Sequence, residues 1–91
     1  MTRPRGPAHP VAAAVGEVIL RRRKSAHLKL DAVATETGVS AQHLSAIETG
    51  RTGPSLASVF VLALALRTLP ETIIAEAREL LASKLAEGGG E

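Results

Sequence analysis

Between two short runs of helical character this chain carries Gly38-Val39-Ser40, and that turn constrains the fold more than any other feature. Glycine enters the left-handed backbone region without a Cβ clash, so Gly38 ends the helix that holds Val33 and Ala34. Ser40 is placed to cap the next helix by accepting an orphan backbone N–H. Leu44 and Ile47, three residues apart, then share one face of that helix, and Val39 turns inward beside them. Ala34 suits the crossing, because two helices joined by so short a turn approach closely. The opposite face of the second helix carries Ala41, Gln42, His43, Ser45 and Ala46, which are short or polar and have little to bury. Residues 28–55 therefore predict a helix, a tight turn and a second helix with a bare polar side.

Composition sets the class around that unit. Ninety-one residues make one domain with a modest core. Ala and Leu dominate, and β-branched residues nowhere alternate with polar ones, so the fold is all-α. With no cysteine there is no disulfide framework and no thiolate metal site, in keeping with a reducing cytoplasm. No apolar run approaches the roughly 20 residues of a membrane helix, and MTRPRGPAHP lacks the features of a signal peptide. Phe60 is the one aromatic residue, which argues against modules that stack splayed bases on aromatic rings. His9, His27 and His43 have no metal-ligand spacing. Neither a nucleophile–base arrangement nor a phosphate-cradling glycine loop is evident, so no cofactor, metal or enzymatic activity is expected.

The charge is unevenly spread. Residues 1–30 hold seven basic residues against Glu17, net +6, and residues 31–91 hold four basic against eight acidic, net −4, which together give +2. Such asymmetry suits a molecule with one nucleic-acid-facing side.

Helical periodicity places five helices, near Val11–Ser25, Leu30–Thr37, Ala41–Thr49, Leu56–Arg67 and Pro70–Ala86. Three prolines and Gly6 make residues 1–10 a flexible basic arm, the helical domain spans 11–86, and 87–91 form a disordered tail. In the first helix Val15, Val18 and Ile19 face inward. Arg23 follows Ile19 by four residues, so it lies at the core edge and needs a partner for its charge. Gly50 ends the third helix, Ser55 caps the fourth, and Pro70 opens the fifth. Leu56, Val59, Leu62, Ala63 and Leu66 form the buried stripe of the fourth. Ile73, Ile74, Ala77, Leu80, Leu81 and Leu85 form the apolar face of the fifth.

From Ile19 to Leu66 the chain resembles the phage-repressor-like (Cro-type, Xre) helix-turn-helix family. The resemblance is carried by Arg23, Leu28, Val33, Ala34 and the segment G-V-S-x-x-x-L-S-x-I-E-x-G-R-x-x-P-S from Gly38 to Ser55. It implies a bundle of about five helices that binds double-stranded DNA as a homodimer and regulates transcription. It implies base contacts from Ala41, Gln42, Ser45 and Ala46, with Gln42 able to pair bidentately with adenine. It further implies backbone contacts from Lys29, Ser40, His43 and Arg51, and a structural ion pair between Arg23 and Glu48. Lys29 stands where the family carries a capping Ser or Thr, and Leu30 where it carries Gln. Ala41 and Ala46 thin the base-reading surface.

Apolar residues beyond one core stripe, Val61 and Leu64 on the fourth helix and Ile74 and Leu81 on the fifth, predict a dimer interface. The rival reading, from another class, is a protein-interaction module, such as an antitoxin or a polymerase-binding partner, that keeps the helix-turn-helix as a scaffold.

Overall fold

Proline fits the first turn of a helix, where its missing N–H has no partner to lose, and the first helix opens on Pro10. In the computed structural model, which describes residues 9–89, α1 spans Pro10–Ser25, α2 Leu30–Thr37, α3 Ala41–Glu48, α4 Leu56–Ala65 and α5 Pro70–Gly89. His9 caps α1, its Nδ1 accepting the Val11 N–H at 3.0 Å. Residues 9 and 10, expected in the flexible arm, thus belong to the start of α1; the rest of the arm, with Arg3 and Arg5, lies outside the described residues. At the other end α5 runs past the expected stop at Ala86. Once a helix is formed, adding residues costs far less than nucleating it, so the turn continues into Gly88 and Gly89. The remainder of the expected disordered tail lies outside the described residues.

Helix ends use a common device. After α1, α3 and α4 a residue enters the left-handed region, namely His27, Gly50 and Arg67, and the next N–H closes back onto the helix. The closing bonds are Leu28 N–H to Arg23, Arg51 N–H to Ala46 and Thr68 N–H to Ala63, at 2.9–3.1 Å. Gly38 ends α2 in the same backbone region.

Packing follows from the apolar stripes. α1 lies against α3 and α5, α2 against α3 and α4, and α4 against α5. Ile19, Leu44, Ile47, Leu62 and Ile73 are fully buried at the centre, with Val33 beside them. Val15 and Val18 face inward as their spacing predicts. Two leucines do not. Leu56 is 71% exposed, because the buried arc of α4 runs through Val59, Leu62, Ala63 and Leu66, and Leu56 stands at its first turn beyond the edge of that arc. Leu85 is 67% exposed and borders a shallow apolar groove with Pro10, Ala13, Ala14, Leu81 and Lys84. Among the described residues no single helix is long and apolar enough to cross a membrane. α4 and α5 reach that composition only jointly, across a 105° bend.

Candidate nucleic-acid interface

The turn between α2 and α3 is built by short-range chemistry. Gly38 sits at φ 78° and donates its N–H to Ala34 at 2.9 Å. The Thr37 hydroxyl donates to the Val33 carbonyl at 2.8 Å and accepts the Val39 N–H at 3.2 Å, so one side chain spans the whole corner. The sequence offers no local signal for this role, since a threonine at the end of a helix is as often solvated as bonded to the corner. The Ser40 hydroxyl accepts the His43 N–H at 3.0 Å, so the expected cap is present. Lys29, by contrast, makes no side-chain cap at the start of α2.

These caps orient α3 with one face in and one face out. Leu44 and Ile47 are fully buried, and Val39 packs against the core. Gln42 and His43 are exposed, and Ala41, Ser45 and Ala46 are half-buried around them. Ser40 and Lys29 are exposed at the N-terminal ends of α3 and α2, and Arg51 is exposed in the α3–α4 loop.

The far end of α3 is anchored electrostatically. Arg23 donates to Glu48 through Nε at 2.7 Å and through Nη2 at 3.1 Å, and its Nη1 donates to the Leu28 carbonyl at 2.8 Å. One guanidinium therefore ties α1, the α1–α2 loop and the end of α3 together. Its side chain is 13% exposed and that of Glu48 5%. The hydrogen bond from Arg23 to Glu48 raises the guanidinium pKa, outweighing the burial that lowers it, so the guanidinium stays charged.

The basic end of α1 is largely consumed within the chain. Arg21 pairs with Glu17, Arg22 forms a two-pronged bond to Glu76 on α5 at 2.6 and 2.9 Å, and Arg23 holds Glu48. The Arg22–Glu76 pair is invisible in sequence, since the partners lie 54 residues apart. Among the described residues, Lys24, Lys29, Arg51, Arg67 and Arg78 are exposed and make no ion pair; of these, Lys29 stands at the start of α2 and Arg51 in the α3–α4 loop, beside the helix-turn-helix. The described residues contain no group of three or more His, Asp or Glu able to hold a metal ion.

A short, doubly anchored helix with its apolar side sealed and its polar side open defines a class, the helix-turn-helix DNA-binding transcription regulators. The chain belongs to the helix-turn-helix family HTH_3, whose model matches residues 19–73. Its fold is similar to that of the clp gene regulator ClgR from Corynebacterium glutamicum, with TM-score 0.83, 23% identity, and coverage of 94% of this chain and 88% of that one. It is also similar to an HTH_3 family transcriptional regulator from Vibrio cholerae, with TM-score 0.69 and 32% identity. That alignment covers 82% of this chain and 43% of the Vibrio chain, so the present sequence spans less than half of that protein. No curated protein matches the sequence.

Proposed function

We propose that this protein is a sequence-specific transcription regulator that binds duplex DNA as a homodimer and sets α3 of each copy in successive major grooves. The observation that carries the reading is the division of α3: Leu44 and Ile47 are wholly buried while Gln42 and His43, on the same two turns, stand open. In this reading Gln42 reads adenine through its amide, and Ala41, Ser45 and Ala46 beside it meet a thymine methyl or a single acceptor. Lys29, His43 and Arg51 hold phosphates. Ser40 spends a lone pair on its own helix and keeps its O–H for a phosphate oxygen. In this reading the protein acts in the cytoplasm, by occupying its DNA site.

Two-fold binding requires recognition helices about 34–36 Å apart, hence a second copy. The apolar surface that supports dimerisation centres on α4. Leu64 is 76% exposed and Val61 half-buried, Phe60 and Leu56 extend the same strip, and Ile74 on α5 is 46% exposed. Leu81 contributes less, since it packs against the core of its own chain. The same strip favours a second reading, in which α4 docks a different protein and the helix-turn-helix is only a scaffold.

Selection of bound sequences from a random DNA pool tests the first reading. A near-palindromic motif is expected, and Gln42→Ala should relax preference at one base position by about 1–3 kcal/mol. A pool that enriches no motif, with no gel shift at either low or high salt, would leave the scaffold reading in its place.

A further inference from the structure

We infer that Gly16, with Ala12 and Ala13, is a positioning residue: its missing side chain sets how deeply the end of α3, and the loop that carries Arg51, seat against α1. The inference rests on the DNA-binding reading above and adds to it a residue that touches no DNA.

Three close approaches line this seam. A methyl group placed on Gly16 would overlap the Ile47 carbonyl oxygen and lie 3.1 Å from the carbonyl carbon. One placed on Gly50 would meet the Ala13 Cβ at 3.2 Å and its Cα at 3.4 Å, and one on Gly53 would meet the Ala12 Cβ at 3.1 Å. The first is by far the closest of the three. Its neighbour is helix backbone, which cannot swing aside as the end of a flexible side chain can. Relief there requires the last turn of α3 to move.

The movement is directed. Arg23 holds Glu48 from a point on α1 two turns beyond Gly16, about 10 Å further along the axis. With Glu48 tethered there, pushing on Ile47 tilts the end of α3 instead of sliding the helix away. Arg51 travels with that end, because its N–H bonds the Ala46 carbonyl at 2.9 Å, and Gly50 and Gly53 on either side of it rest on Ala13 and Ala12. Gln42 lies at the opposite end of α3, above the Ser40 cap. The seam thus governs the phosphate contact of Arg51 more than base reading.

The test measures affinity for a selected site over a range of salt, with circular dichroism to establish folding. Gly16→Ala is expected to weaken binding uniformly across sequences, on the order of tenfold, and to reduce the magnitude of the salt slope by about 0.9, the signature of one lost phosphate contact. In an Arg51→Ala background the same substitution should remove nothing further. A purely structural role would lower the melting temperature without altering the slope. Gly53→Ala should act in the same direction more mildly, and Ala12→Gly added to it should restore binding by moving the methyl across the seam. Wild-type affinity and slope in folded Gly16→Ala, or an equal loss with and without Arg51, overturns the inference. If Gly16→Ala does not fold, the Gly53→Ala and Ala12→Gly pair decides, and absence of loss or of rescue overturns it. Failure of the wild-type protein to bind DNA overturns the DNA-binding reading and this inference with it.

Discussion

Arg22 and Arg23 are neighbours on α1, and each grips a glutamate with two hydrogen bonds, yet they secure different halves of the molecule in different ways. Arg23 reaches Glu48 on α3 with both side chains nearly buried. Arg22 reaches Glu76 on α5 with 30% and 41% of the side chains exposed. Geometry is nearly the same in the two pairs, so their unequal worth comes from water. In the drier pair neither charge can be rehydrated in place, and loss of one partner strands the other. In the wetter pair solvent screens the attraction and takes up whatever is released. The α1–α5 seam depends instead on Ile73 and Ala77, which are buried, with Leu80 and Leu81 packed beside them. The helix-turn-helix half is thus locked in orientation by a charge pair, while the other half is held by apolar burial with ion pairs at its rim.

The largest expected consequence is the cost of Glu48→Ala, about 3–5 kcal/mol in a urea or thermal melt. A loss below about 1 kcal/mol would erase the contrast between the two pairs. Ser40→Ala should cost about 1 kcal/mol, because it removes the hydroxyl that accepts the His43 N–H at the other end of α3. Binding should suffer along with stability there, which would sharpen the view that α3 is fixed at both ends. Glu76→Ala should cost least, between about 0 and 1 kcal/mol, and the difference from wild type should shrink further as salt rises. A loss as large as that of Glu48→Ala would mean that α5 is locked by charge as α3 is.

The helix-turn-helix was legible because its signals are local. Gly38, Gly50, Ser40 and Ser55 are residue types whose conformational or capping preferences act within a few residues, and each occupies the role its type suggests. His27 and Arg67 were not legible. They adopt the same left-handed backbone, at φ 59° and 58°, but their residue types do not announce it. The need of Arg23 for a partner could be read from its place one turn beyond Ile19. Which arginine would serve α5 could not, because Glu76 approaches only after the chain has folded back. Leu56 and Leu85 show the reverse error, since a helical stripe continues in sequence past the point where another helix ends its cover.

By itself the sequence determined the number and order of the helices, the caps at Gly38, Ser40, Gly50 and Ser55, which side of α3 is apolar, and that a compact turn joins α2 to α3. Those outcomes depend on backbone preference and periodicity, which operate over single turns. Only the tertiary structure decided which polar side chains of α3 stay open, which basic residues of α1 are spent on glutamates, and that the absent side chain at Gly16 admits the backbone of Ile47. Those depend on how separate helices meet, and the closeness of that meeting is a sum of many small contacts that no short stretch of residues encodes.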